Sequence, residues 1–363
     1  LMNNKSNLPV YSLFIRRWDL RKLNYKLRPF DDPVPAKLFI DDMNFDISTK
    51  FRGNYTRKLR RRSYFIKLKR LQTFNGAREF HLNAEYKDPS SIRNKLSLDL
   101  FQSFGVLSPA SQHIQLFLNG SYKGVYLQLE SVDDLFLENR RLPYGPIYYA
   151  VKTDANFSLD GHKTKAPKES LLVGYQRKIG TAEDDKFLIE LIQKINMTSL
   201  EEFEQEIPKY LAVDKYLRWL AVAVCTQNHD GFLKNYALYR NSETGLFEII
   251  PWDYDGTFGR KWDGETIEPD SLRIKGKNHL TKRLLEIPAF RWQYRELMEE
   301  LLNTLFTPAY LEPIISSLME FIRPHHLFSD PSQLETFDGE KEVIITFIKE
   351  RSQYLRDNLN LLD

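Results

Sequence analysis

The sequence predicts an α+β fold with a β-rich N-terminal lobe and an α-rich C-terminal lobe, and three features carry the prediction. The front of the chain is written in short β-branched or aromatic runs bounded by turn residues. Its rear repeats apolar residues at helical spacing behind polar caps. A polar stretch, "KTDANFSLDGHKTKAPKESLLVGYQRKIG", separates the two. The expected division is a lobe over residues 1–152, a linker or mobile loop over 153–180, and a second lobe over 181–363. With 363 residues and 42% apolar content, the chain is long enough to bury a substantial core in two subdomains.

In order along the front half, "PVYSLFI", "AKLFIDD", "SYFIKLKR", "HIQLFLNG" and "KGVYLQLE" read as strands. "FLNGSYKGVYL" predicts a hairpin whose turn takes its positive φ from Asn119-Gly120. One helix interrupts the strands, from Ser91 to Phe104, with Pro89 and the serines at its start. In the rear half, "TAEDDKFLIELIQKI" opens on a Thr-x-x-Asp cap and "TSLEEFEQEI" on a Thr-x-x-Glu cap, each able to satisfy amides of a first turn. Leu217, Leu220, Ala221 and Val224 recur at i, i+3, i+4 and i+7 in "VDKYLRWLAVAVCTQN", which predicts a helix with one buried face. "GEKEVIITFIKERSQYLRDNLNLL" predicts a long amphipathic helix. There is no internal repeat and no low-complexity tract.

Net charge is only +3, yet the basic residues are unevenly spread, which favours local phosphate patches over a protein that binds polyanions throughout. Nucleic acid is therefore not an expected partner. The single cysteine, Cys225, lies on the apolar side of its helix and reads as a small core residue of a protein made in a reducing compartment. "LMNNKSNLPVYSLFI" has no cleavable-signal architecture, and no window holds the ~18 uninterrupted apolar residues of a membrane span, so a soluble protein made inside the cell is expected.

The chemistry concentrates in "QNHDGFLKNYALYR". Asp230 and Asn235 stand in a His-Asp-x-x-x-x-Asn pattern. In the protein-kinase catalytic loop that spacing lets a carboxylate accept the acceptor hydroxyl's proton while the amide oxygen reaches a nucleotide-bound metal. After a strand pair, "NYALYR" and "LFEIIP", Asp253 and Asp255 leave a strand end in "WDYDGTFG", beside glycines that let the backbone turn sharply. A His-Asp pair on a loop is ordinarily a cap or turn, and Asp-x-Asp beside Gly an ordinary turn. Joined by one short hairpin and preceded by an apolar helix, the two favour a metal and phosphate site, since magnesium takes carboxylate and carbonyl oxygens.

Cations for the phosphates are plentiful in "RGNYTRKLRRRSYFIKLKR". Arg52-Gly53-Asn54 reads as a turn into a strand on which Ser63, Phe65, Lys67 and Lys69 share one face and Tyr64, Ile66 and Leu68 the other. Ile66-Lys67 matches the end of the Val-Ala-Ile-Lys strand whose lysine holds α and β phosphates. The alternatives are a solvated basic strand or a nucleic-acid patch with interleaved aromatics. Lys152, after the strand "PIYYAV", is a second phosphate lysine.

On "FRGNYTRKLRRRSYFIKLKR", "LNAEYKDPSSIRNKLSLDLF", "LFLNGSYKGVYLQLE", "NHDGFLKNYALYR" and "IIPWDYDGTFGR", the chain resembles the spore coat protein H (CotH) family of atypical protein kinases, as a Bacillus member of it. The resemblance implies a divergent protein-kinase-like two-lobe fold and transfer of the ATP γ-phosphate to serines of basic, serine-rich coat proteins. It further implies ATP with Mg, or Mn, as cofactors, synthesis in the mother-cell cytoplasm, a place in the spore coat and a need for the protein in outer coat assembly. By the same resemblance Asp230 is the catalytic base and Asp253 the principal metal ligand, aided by Asn235 and Asp255. Lys67 or Lys152 holds the phosphates with Arg52 beside them, and Trp252 covers the adenine ring with Tyr149 on its other face.

The pattern also departs from ordinary kinases. No Gly-x-Gly-x-x-Gly loop is present, so the Arg52-Gly53-Asn54 turn and nearby cations take over phosphate cradling. The helix from Ser91 to Phe104 has no Glu for Lys67, which leaves Glu85 or Asp99 as partner. No Ala-Pro-Glu follows Asp253, so control by activation-loop phosphorylation does not follow. Two other functions fit the same residues: a kinase-like nucleotidyltransferase that attaches AMP, and a non-catalytic coat scaffold.

Overall fold

The computed structural model describes residues 8–24, 32–53, 59–69, 72–326 and 331–363. Asn54, the last residue of the expected basic turn, lies outside the described residues. In chain order the elements are β1 (Val10–Phe14), α1 (Arg17–Asn24), β2 (Val34–Ile40), β3 (Met43–Phe51), β4 (Tyr64–Leu68), β5 (Glu79–Asn83) and α2 (Arg93–Ser103). The hairpin β6 (Ser111–Leu118) and β7 (Ser121–Glu130) follows, then α3 (Asp134–Asn139), β8 (Ile147–Ala150), β9 (Tyr175–Ile179), α4 (Asp185–Met197), α5 (Leu200–Glu206) and α6 (Val213–Thr226). The chain closes with β10 (Tyr236–Arg240), β11 (Phe247–Pro251), α7 (His279–Glu286), α8 (Pro288–Asn303), α9 (Pro308–Ile322) and α10 (Pro331–Asp357). The fold is α+β. Among the described residues no helix is long and apolar enough to cross a membrane.

The chain divides into two compact units. The first comprises Leu1–Lys95, Ala110–Ser131 and Ile314–Lys341. Among the described residues its strands close into a barrel in the order β1-β2-β3-β4-β5-β7-β6, with a parallel β1–β6 pairing as the seam. Alternation along each strand predicts strands but not their partners, so the closure goes beyond what the sequence states. The alternation explains the interior. Tyr11 and Leu13, Leu38 and Ile40, and Tyr64, Ile66 and Leu68 are all buried, while Phe65 and Lys67 turn outward. The β6–β7 turn is the expected one, with Asn119 at φ 49° and Gly120 at φ 81°.

Within this unit Arg93 is fully buried and bridges two buried carboxylates, Asp88 and Glu340, each 2.6 Å from its Nη1. The Arg93 amide donates to Asp88 Oδ2 at 2.9 Å, so Asp88 makes the helix start that Pro89 and the serines announce.

The second unit comprises Leu96–Pro109, Val132–Pro313 and Glu342–Asp363. It holds an antiparallel sheet in the order β11-β10-β8-β9. Thr181 and Asp184 form the expected capping box. The next cap is one residue later than expected: Ser199, three residues ahead of Glu202, receives that residue's amide, in place of the Thr198–Glu201 pair. Helix α6 also differs from expectation. From Trp219 to Thr226 every residue is buried, not one face, since α8 and β11 both pack on it.

Candidate active site

The site grows from the end of α6. Gln227 caps that helix in the left-handed region, at φ 61°, and the buried side chain of Asn228 then organises the turn that follows. Its Oδ1 accepts the amides of Asp230 at 3.0 Å and Gly231 at 2.9 Å. These bonds start the short 3₁₀ turn Asp230–Phe232. Phe232 is fully buried, edge-on to Trp219 at 5.5 Å, and its carbonyl accepts from Asn278 Nδ2 at 3.1 Å. Asp230 is thereby held on a fixed turn with its side chain 38% exposed and 3.0 Å from Lys234 Nζ.

The neighbouring histidine is not a base. Burial, with Lys277 and Arg351 adding to it and Asp230 opposing, pulls its pKa down to about 4, so the ring is neutral at pH 7. Lys277 donates to His229 Nδ1 at 2.7 Å, which places the ring proton on Nε2, donating to Ser271 Oγ at 3.0 Å. Burial lowers the Lys277 pKa and the Asp230 carboxylate raises it again.

The sheet brings Asn235 and Asp253 to one end of the paired strands β10 and β11. Tyr236 pairs with Ala150 on one side and Pro251 on the other. One residue earlier, Asn235 donates its amide to Ala150 O at 2.9 Å and accepts the Trp252 amide at 3.1 Å. Asn235 and Asp253 both sit at φ 61°. The left-handed region is uncommon for residues other than glycine, and Asn and Asp tolerate it best. Backbone bonding thus sets Asn235 directly beside the residue that precedes Asp253, with Lys152 two residues beyond Ala150 and exposed. Asp255 follows on the same half-buried loop. Among the described residues no three His, Cys, Asp or Glu side chains gather as a metal-binding group.

The expected adenine sandwich is corrected by the structure. Tyr149 and Trp252 lie with ring centroids 5.4 Å apart and planes at 30°, touching each other. A ring held between two aromatics needs roughly twice the 3.5–4.0 Å contact distance, so none fits there. Both belong to the apolar cluster around Ile147, Ala237 and Ile250, and the Tyr149 hydroxyl bonds the Val132 amide and carbonyl at 2.9 and 3.0 Å.

In the barrel unit Lys67 is half exposed and 2.7 Å from the nearly buried Glu79, its register partner on β5. Neither Glu85 nor Asp99 is the carboxylate in that pair; Glu85 accepts from Asn94 Nδ2 at 3.1 Å. Arg52 bonds Asn83 Oδ1 through its guanidinium and Ser63 O through its amide. Sequence reasoning missed Glu79 because a cross-strand partner is set by register. It also missed Lys234 and Lys277, although Lys234 stands four residues after Asp230, a spacing that flags an ion pair.

Comparison with known proteins gives this arrangement a family. The model of the CotH kinase protein family matches residues 49–355. The chain is 50% identical to the inner spore coat protein H of Bacillus subtilis strain 168, covering 99% of this chain and 100% of that protein. It is 30% identical to the inner spore coat protein H-like protein of the same strain, over 78% of this chain and 81% of that one. Among solved structures, a chain of the HipA–HipB toxin–antitoxin complex with operator DNA from Shewanella oneidensis is 13% identical, covering 92% of this chain and 68% of that one. Its TM-score is 0.36. With the family match over most of its length and half its residues shared with a spore coat protein from end to end, this chain belongs to the CotH family.

Proposed function

We propose that the chain is an ATP-dependent serine/threonine protein kinase of divergent, two-lobe kinase-like fold. Its acceptors are serines in basic, serine-rich spore coat proteins, and it serves outer coat assembly. The observation that carries the reading is the backbone ladder Ala150–Asn235–Trp252, which sets Asn235 beside the residue before Asp253, just after the fixed Asp230 turn. The family's description as a kinase and the coat-protein names of the two Bacillus subtilis relatives support it.

The residues fit a magnesium or manganese ion. Asp253 and Asn235 offer hard oxygens one residue apart in the register, Asp255 lies on the same loop as Asp253, and such an ion takes one or two carboxylates and fills its remaining positions with phosphate oxygens and water. Once bound, the metal would neutralise charge developing on the phosphates. Asp230 takes the proton of the acceptor hydroxyl as its oxygen bonds the γ-phosphorus, the bond to the leaving oxygen breaks, and ADP departs. Neutral His229 keeps Lys277 beside Asp230, and exposed Lys152 is proposed as a phosphate contact. Lys67, an ammonium group steadied by Glu79, and Arg52 are proposed as further phosphate contacts on their chemistry. Positioning and charge stabilisation supply most of the rate in such a transfer.

Calorimetric titration with ATP, with and without magnesium, tests the reading. Metal-dependent binding that Asp253→Ala weakens is expected. No metal-dependent nucleotide binding would favour the scaffold.

A further inference from the structure

One contact joins the two acid-bearing turns. Gly231 follows Asp230, and Tyr254 follows Asp253. A Cβ built on Gly231 would stand 2.9 Å from the Tyr254 hydroxyl oxygen, 3.3 Å from its Cζ and 3.3 Å from Asn228 Cγ. Gly231 is not among the glycines at positive φ, so its backbone would accept alanine, and the need for glycine there is the closeness of Tyr254. Tyr254 is fully buried, and burial pushes its hydroxyl pKa far up, so it stays an un-ionised phenol with no part in proton transfer.

The other side of that ring is held as firmly. Phe101 of α2 meets it edge-on, with centroids 4.8 Å apart and planes at 86°. Thr257 Oγ1 donates to the Tyr254 carbonyl at 2.9 Å and lies 3.2 Å from Ser97 Oγ, one turn before Phe101 on the same helix. Two residues of α2 therefore bear on the turn that carries Asp253, and that turn bears on the one that carries Asp230.

We propose that Tyr254 is a positioning residue that sets the spacing between the Asp230 and Asp253 turns by wedging its ring between α2 and Gly231. This deepens the kinase reading and rests on it. The proposal makes Gly231→Ala a specific lesion, because the added methyl forces the two turns apart while removing no ligating group.

The test is steady-state kinetics on a serine peptide, with thermal melting as the folding control. For Gly231→Ala the expected result is a fall in kcat of ~100-fold, the cost of a displacement near 1 Å, with KM for ATP and peptide close to wild type. Tyr254→Phe, which removes the colliding oxygen, lowers kcat a few-fold alone and in the double variant recovers roughly tenfold of the loss. Unchanged kcat in Gly231→Ala, or a loss that Tyr254→Phe does not relieve, overturns the proposal. Should Gly231→Ala not fold, Tyr254→Leu replaces it, since it loses the ring contact without a collision; the same fall in kcat is expected and its absence is fatal. A wild-type protein that transfers no phosphate overturns the kinase reading and the positioning role together, whereas an active wild type with an equally active Gly231→Ala overturns the positioning role alone.

Discussion

Asn228→Ala isolates the scaffold of the site from its chemistry. Asn228 is 2% exposed, and its Oδ1 is the acceptor for the amides of half-buried Asp230 and buried Gly231, at 3.0 and 2.9 Å. Alanine leaves both amides without that acceptor at a place water reaches poorly. Each lost bond costs about 1 kcal/mol net, and a stranded buried donor costs about 1–3 kcal/mol, so the variant should lose ~2–4 kcal/mol of stability. Because the same bonds fix the turn under Asp230, kcat should also fall by roughly 100-fold, with ATP affinity largely kept. Asn228→Asp retains the acceptor oxygen, and the amide nitrogen it discards makes no hydrogen bond among the described residues. It should recover most of the activity, at some cost for burying a charge. Urea denaturation at constant m-value, with kinetics on the same samples, measures both effects. A loss below about 0.5 kcal/mol would refute the capping argument. Full kcat in a clearly destabilised variant would refute its link to Asp230.

Asp253→Ala should abolish phosphoryl transfer and weaken metal–nucleotide binding while circular dichroism stays native; a folded, fully active variant contradicts the metal assignment. Asp230→Ala should lose turnover and keep much of its ATP affinity, and a collapse of affinity with turnover intact at saturation would reverse that role. Fully buried His113, which donates from Nε2 to Ser91 O at 2.8 Å, has its pKa lowered to about 4, mainly by burial. Its folded pKa lies below the unfolded value of ~6.5, so its contribution is complete above pH ~6.5 and is lost as pH falls toward 4, by about 3 kcal/mol in all. Denaturation midpoints from pH 7 to 4 should therefore decline less steeply in His113→Gln, and equal slopes would contradict this. Peptides with Lys or Arg beside the serine should be preferred over those with Asp or Glu, through the acidic run Glu201, Glu202, Glu204 and Glu206, and the preference should shrink as salt rises. A salt-independent kcat/KM would defeat that idea.

What could be read from the sequence follows physical locality. The Asn119-Gly120 turn, the Thr181–Asp184 capping box and the outward face of Lys67 depend on residues within a few positions of each other, and all three are present. The slip from Thr198 to Ser199 marks the limit of that locality, because adjacent hydroxyl residues offer equivalent caps until tertiary packing selects one. Helix α10 begins at Pro331, ahead of the apolar run that announces it at Gly339, since its first turns carry little apolar signal. Pairings across the chain were not legible. Nothing near Lys67 names Glu79, and nothing near Tyr149 says that its ring rests on Trp252. Chain order and spacing are what single out the candidate acids in the sequence. The left-handed turns at Asn235 and Asp253, and the shared backbone ladder, were not, because register decides them.

The central claim is transfer of the terminal phosphate, and the most direct measurement follows label from ATP into a serine-rich, lysine- and arginine-flanked peptide, with magnesium or manganese present. The account predicts that γ-labelled ATP marks serine in the wild type, that α-labelled ATP does not, and that Asp230→Ala and Asp253→Ala mark nothing. Label arriving from α-labelled ATP would make the protein a nucleotidyltransferase, and no label from either would contradict catalysis.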